Sequence, residues 1–155
     1  MAELDLATQA RMIVDSNRYM TLATADEAGH PWVSPVYYAP DGYSALYWVS
    51  NPDATHSRNL AVRPELAIVI FDSRQPIGTG EAAYMEATAR LVQGEQAELG
   101  IEVFSRRSQG DGGGPFEMAD IATPGGLRLY RASVTRHYML DPNAGRDERI
   151  PVALT

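Results

Sequence analysis

The chain has no cysteine, and none of its thirteen basic side chains is lysine. Without thiols there is no disulfide framework, no thiolate metal site, no iron–sulfur ligation and no cysteine nucleophile. Such a chain suits a reducing compartment. Without lysine, a Walker-type phosphate loop, a Schiff base and a lysine general base are excluded. Positive charge is scarce overall: thirteen arginines face twenty acids, for a net charge of −7. That balance argues against nucleic acid as a partner, since binding phosphates along a strand needs a basic face. Long apolar runs are missing too. The longest, Leu66–Phe71, is far short of the roughly 20 residues that cross a bilayer. The opening Met1-Ala2-Glu3-Leu4-Asp5 is acidic and lacks the basic start of a signal peptide. These absences predict a soluble cytoplasmic protein that binds neither membrane nor nucleic acid.

What remains is 155 residues, 45% of them hydrophobic. One domain of that length buries about two-thirds of its unfolded surface without staples. Residues 4–17 carry apolar side chains at helical spacing (Leu4, Leu6, Ala7, Ala10, Ile13, Val14), with Ser16-Asn17 as a stop. The period then changes. Strands are predicted over 19–25, 32–39, 45–50, 66–72, 82–92 and 127–140, the last as one strand or a bent pair. Asp41-Gly42 marks a hairpin, and Pro35 points to an edge or bulge. The run from Leu66 is apolar at every position and predicts a strand buried on both faces. A short helix is predicted over 55–62, ended by Pro64, and a longer one over 94–107, with Leu99, Val103 and Phe104 turned to the core. Residues 109–126 read as a flexible loop and 141–155 as a surface tail. Six strands in meander order with few helices predict a mainly β (α+β) fold, a small antiparallel barrel with helices outside.

One stretch stands out against the acidic background. Between Thr55 and Arg63 lie His56, Arg58 and Arg63 with no acid, and Ser50, Thr55 and Ser57 add hydroxyls at a helix start. Free amides and the positive dipole end at a helix N-terminus hold phosphate, and arginine supplies a matching fork. A plain helix cap with surface arginines is the competing reading. His30, in a turn, and His137, in the last strand, read as structural. No two histidines stand at metal-ligand spacing with a carboxylate. Gly78-Thr79-Gly80 is too short for a dinucleotide fingerprint, and Gly112-Gly113-Gly114 lacks the lysine of a phosphate loop.

Met20–Ala25, Gly29–Tyr38, Ser57–Pro64 and Tyr84–Val92, with "WVSNPDATHSRNLAVRPELAIVIFD" between the hairpins and the fifth strand, resemble the pyridoxamine 5′-phosphate oxidase-like, FMN-binding split-barrel family. The likeness is strong over residues 10–92 and weak in the last third. It implies that residues 1–155 form one FMN-binding, six-stranded antiparallel split β-barrel, with a helix at 1–18 and peripheral helices. It implies a homodimer whose FMN sites (or, as an alternative, deazaflavin sites) lie at the interface and receive a small-molecule substrate. By position, Ser57 and Arg58 are expected to bind the cofactor phosphate with help from His56 and Ser50, while Val33, Ser34, Pro35 and Val36 run along the isoalloxazine. His56 stands where many relatives have lysine. The chain also lacks the arginine–histidine motif that true pyridoxamine-phosphate oxidases carry near the C-terminus, so a different substrate is expected. The resemblance therefore implies a flavin-dependent oxidoreductase, with a non-catalytic flavin- or haem-type binding protein as the alternative. No side chain is marked as a general acid or base.

Overall fold

The computed structural model describes residues 4–155, so residues 1–3 of the expected N-terminal helical segment lie outside the described residues. Helix α1 (Leu6–Ser16) starts where the Asp5 carboxylate accepts from the Thr8 amide at 2.9 Å. That cap satisfies one of the amides a helix start leaves free. The helix buries Ala10, Ile13 and Val14 and ends at Asn17. There follow β1 (Tyr19–Ala25), β2 (Pro31–Tyr37), β3 (Ala39–Asp41), β4 (Ala45–Ser50), α2 (Thr55–Val62), β5 (Glu65–Phe71) and β6 (Ala82–Leu91). Helix α3 (Gly94–Gly110), a 3₁₀ turn (Met118–Ile121), β7 (Arg128–Leu140) and β8 (Arg149–Val152) complete the chain. All six expected strands are present, and the short β3 and β8 bring the sheet to eight.

Every pairing is antiparallel, in the order β2-β1-β5-β6-β7-β4-β3, with β8 beside β7. Strands β2 and β3 stand at opposite ends of that order, yet only Tyr38 separates them along the chain. The sheet therefore has to curl until its two ends meet at that corner. Right-handed twist and a register shift between Glu86 and Ala87 supply the curvature. The prolines sit where a missing donor costs least: Pro35 and Pro40 are both on terminal strands.

Two apolar clusters hold this half-barrel. One fills its interior with Met20, Leu22, Tyr38, Trp48, Ile68 and Ile70, covered by α1 and α2. The other lies under α3, where Ala97, Ile101 and Phe104 meet Tyr47 and Leu129. Strand β4 serves both, since Leu46 and Trp48 point to one cluster and Ala45 and Tyr47 to the other. The strand with two covered faces is thus β4, not the run from Leu66. In β5 only alternate residues (Leu66, Ile68, Ile70) are buried, because no helix covers the outer face. Helix α3 likewise differs from expectation: Leu99 is 65% exposed, and the buried stripe is Ala97, Gly100, Ile101 and Phe104.

Two segments read as loose are tied down. Asp111, just past α3, accepts from the Tyr37 hydroxyl at 2.6 Å and from Arg107 Nε at 3.2 Å. Arg107 also donates to the carbonyls of Asp15 and Asn17 and covers the Tyr38 ring, clasping α3 to the α1–β1 junction. Beyond residue 140, β8 pairs with β7 and Leu154 is buried to 6% exposure, so this part of the chain is no mere surface tail.

Candidate functional site

The N-terminus of α2 is presented by a turn that the sequence closes locally. Asn51 Oδ1 accepts from the Asp53 amide at 2.9 Å, its carbonyl accepts from the Ala54 amide, and its Nδ2 donates to the Gly125 carbonyl. The N-cap position falls on Ala54, which has no side-chain acceptor. The helical ladder begins with the Arg58 amide donating to the Ala54 carbonyl. The amides of Thr55, His56 and Ser57 consequently have no partner within the helix. Beside them, Ser50 Oγ at the end of β4 lies 2.9 Å from His56 Nε2. Burial pushes the His56 pKa below its ordinary value, so the ring is neutral near pH 7. A neutral imidazole can accept the serine proton or donate its own, according to tautomer.

Two polar side chains fix the rest of the helix. Asn59 is buried and donates from Nδ2 to Thr24 Oγ1 at 3.1 Å, which fastens α2 to β1. Arg63 donates to the carbonyls of Asp26 and Glu27, so this member of the basic stretch secures the β1–β2 turn.

The expected phosphate ligands do not converge. Ser57 and Arg58 line a cavity of about 410 Å³ on the flank of α2, together with Arg90 and Tyr130. Ser50 and His56 do not line it. Ser57 is only 3% exposed, and its hydroxyl has no hydrogen-bond partner among the described residues. The β2 residues divide as well. Ser34 and Val36 turn inward, whereas Pro35 and the 64%-exposed Val33 face out. Val33 borders a groove of about 610 Å³ on the outer sheet face with Ala23, Ala67, Val69, Tyr84 and Tyr138. Arg149 of β8 closes one side, its guanidinium 3.7 Å from the Tyr84 ring centre. Val33 and Arg58 thus border different cavities.

Sequence reasoning missed Arg90, Tyr130, Tyr84 and Arg149 as cavity residues. The alternation of β6 puts Tyr84 and Arg90 on the outward face, but which cavity each borders depends on how α2 and β8 pack. The other histidines are structural: His30 lies 3.2 Å from Asp26 in the turn, and His137 Nε2 is 2.7 Å from the Tyr43 carbonyl. Among the described residues there is no cluster of three His, Asp or Glu fit for a metal, and no helix long and apolar enough to cross a membrane.

The fold has relatives among solved structures. A heme binding protein from Mycobacterium smegmatis superposes with a TM-score of 0.74 at 22% identity, over 97% of this chain and 60% of that one. HutZ, the heme storage protein from Vibrio cholerae, gives 0.65 at 19% identity, over 84% and 91%. Campylobacter jejuni ChuZ gives 0.73 at 13% identity, over 97% and 61%. The chain thus spans about three-fifths of the mycobacterial protein's length. No curated protein matches significantly. The family model described as pyridoxamine 5′-phosphate oxidase matches residues 6–138. With a match over that much of its length, and an antiparallel half-barrel to go with it, the chain belongs to the pyridoxamine 5′-phosphate oxidase family.

Proposed function

We propose that this chain forms a homodimer that binds FMN between its protomers and acts as a flavin-dependent oxidoreductase on a small molecule. The carrying observation is the open N-terminus of α2. Three unpaired amides and the positive dipole end stand beside the Ser50–His56 pair, with no acid from Thr55 to Arg63. These groups suit a phosphate dianion. The amides donate along the helix axis, one member of the Ser50–His56 pair donates from the side according to tautomer, and Arg58 adds charge one turn in. FMN, when bound, supplies hydride and electron transfer, and the protein binds and orients it.

β2 suits the ring. It is a terminal strand of the sheet order, so backbone groups of Val33–Val36 on its free edge can pair with the polar edge of an isoalloxazine. A second chain would account for Val33 and Arg58 bordering separate cavities in one protomer. If the apolar outer face that carries Val33 packs against a copy of itself, each site is built from both protomers. The absence of lysine supports a substrate other than pyridoxamine phosphate.

The purified protein should be yellow, release FMN on denaturation, bind added FMN saturably, and be reduced by a nicotinamide donor. If it is colourless and neither FMN nor a deazaflavin changes its spectrum or melting temperature, the reading is lost. A haem-binding reading is favoured by the names of two fold neighbours and by His56, a half-buried neutral imidazole able to meet iron. A Soret shift on haem titration that disappears in His56→Ala, with no flavin binding, would establish that reading instead.

A further inference from the structure

Helix α2 is too short to hold its own place. Its eight residues would not stay helical alone and have no side-chain cap, so contacts with the sheet decide where its open end lies. Leu60 is buried in the barrel cluster, but an apolar contact has no direction and resists separation better than sliding. Arg63 is directional, yet it lies at the far end of the helix and its bonds are exposed. The directional contact inside the protein is Asn59. Its Nδ2 donates to Thr24 Oγ1 at 3.1 Å, with Asn59 5% exposed and Thr24 4%. Thr24 follows Met20 and Leu22 on the inward face of β1, where an apolar side chain would suit the barrel interior. Its hydroxyl has one proton. Because Asn59 donates to the oxygen, that proton is left for the Trp32 carbonyl of β2, 3.4 Å away. Trp32 stands opposite Thr24 in the β1–β2 register and immediately precedes Val33. A polar chain thus runs from the middle of α2, through β1, to the start of the segment assigned to the isoalloxazine. Stability alone gives no reason for it, since replacing both partners of a buried hydrogen bond by apolar groups of the same shape is nearly neutral. What an apolar pair lacks is direction.

We propose, on the FMN reading above, that Asn59 and Thr24 are positioning residues that fix the span between the phosphate end of α2 and the ring edge of β2. Both are buried and act through the elements they join. A ligand carrying an anionic group and a flat ring gains from its second contact only if the two half-sites are held at a matching separation. A flavin without phosphate uses one half-site and is indifferent to the span. The pair therefore sets the preference for FMN over riboflavin.

The test uses the full-length protein. Calorimetry gives the affinities for FMN and riboflavin, and residual dipolar couplings in NMR give the orientation of α2 against β2 in the free protein. The parent should bind FMN more tightly than riboflavin. Thr24→Val keeps the shape and removes the hydroxyl; it should weaken FMN by roughly tenfold to a hundredfold and leave riboflavin within about twofold. Thr24→Ser, which keeps the hydroxyl, should keep the parent's ratio. Combining Thr24→Val with Asn59→Leu makes both partners apolar, so the melting temperature should return towards the parent's while the ratio stays low. A purely structural pair would recover both together. The couplings of α2 should change in Thr24→Val and in the double variant, and not in Thr24→Ser. An unchanged ratio or an unchanged α2 orientation in Thr24→Val overturns the proposal, as does a double variant whose ratio recovers with its stability. In a protein that binds neither flavin the couplings decide alone. A change confined to the variants without the hydroxyl leaves the pair as what sets α2 against β2 and removes the cofactor reading only; no change removes both.

Discussion

At the scale of single residues, His56 has the most testable chemistry. Burial holds its pKa below the ordinary value in the free protein, and a phosphate dianion beside it would raise it. Protonation is then coupled to binding, so FMN affinity should rise as pH falls from about 8 towards about 6.5, above the second phosphate pKa of about 6. Fluorescence titration across that range should show the slope, and His56→Gln should flatten it. A slope unchanged in the variant would take His56 out of the phosphate site. Asp111 gives a second case. The Tyr37 hydroxyl, then Arg107 and Arg18, hold its carboxyl below the usual range, while the Tyr37 phenol is pushed up to about 12 by burial and by the same carboxylate. A carboxyl whose folded pKa is depressed stabilises the fold above its unfolded pKa, and the effect is lost as pH falls through the folded value. Asp111→Asn should therefore cost about 1 kcal/mol at neutral pH, a discounted figure for a partly exposed charged hydrogen bond. The cost should begin to shrink as pH falls below about 4 and vanish only below the depressed folded value, as followed by urea unfolding at several pH values.

At the scale of elements, α3 depends on its lack of a side chain at Gly100. A Cβ there would come within 2.5 Å of Tyr47 Cε1 and 2.8 Å of Leu129 Cδ2, both in the cluster beneath the helix. Helix propensity alone would favour alanine by up to about 1 kcal/mol. Overpacking a filled core costs about 1–3 kcal/mol, so Gly100→Ala should lower stability on balance. Chemical denaturation that found the variant more stable would show that Tyr47 can move aside.

This element also marks where the sequence stopped being legible. Strand and helix limits were readable because period, turn residues and Pro64 are local signals; α2 begins and ends where its spacing says. Which face of a helix or strand meets the core was less readable. Leu99 and Phe104 are both large and apolar, and only the placement of Gly100 against Tyr47 decides that the helix lies on the Ala97–Phe104 stripe. The run from Leu66 to Phe71 misled for a related reason. Its outward residues are as apolar as its inward ones, so periodicity could not tell a strand covered twice from one with a bare face.

At the scale of the whole molecule, that bare face is the main consequence of the topology. Val33, Ala23, Ala67, Val69 and Tyr84 lie side by side across β2, β1, β5 and β6, because the antiparallel registers bring Val33 opposite Ala23 and Val69 opposite Tyr84. Large exposed apolar patches mark interaction surfaces. Val69→Arg would place an unpaired charge at the centre of this face, a cost of several kcal/mol once buried. Sedimentation should find the parent chain dimeric and the variant monomeric at micromolar concentrations, with FMN lost along with the partner. A variant that stays dimeric would move the interface elsewhere. The candidate site was only partly legible for the same reason. Residues 50–58 were identified by their chemistry, but their division into a helix end and a flank cavity arises from packing between elements distant in sequence. Tyr130 carried no motif to announce it, and Arg90, though inside the family-like stretch Tyr84–Val92, was given no role there.

The pairing of β8 with β7 has a practical bearing on how the molecule is handled. Residues after Leu140 supply Arg149 as one wall of the outer groove and Leu154 as a stopper in the barrel interior. Clipping the chain there, whether by protease or by cloning, would unplug the interior and reshape the face where a partner would sit. A shortened form that clumps or loses its mate would be reporting a missing wall, not a missing tether.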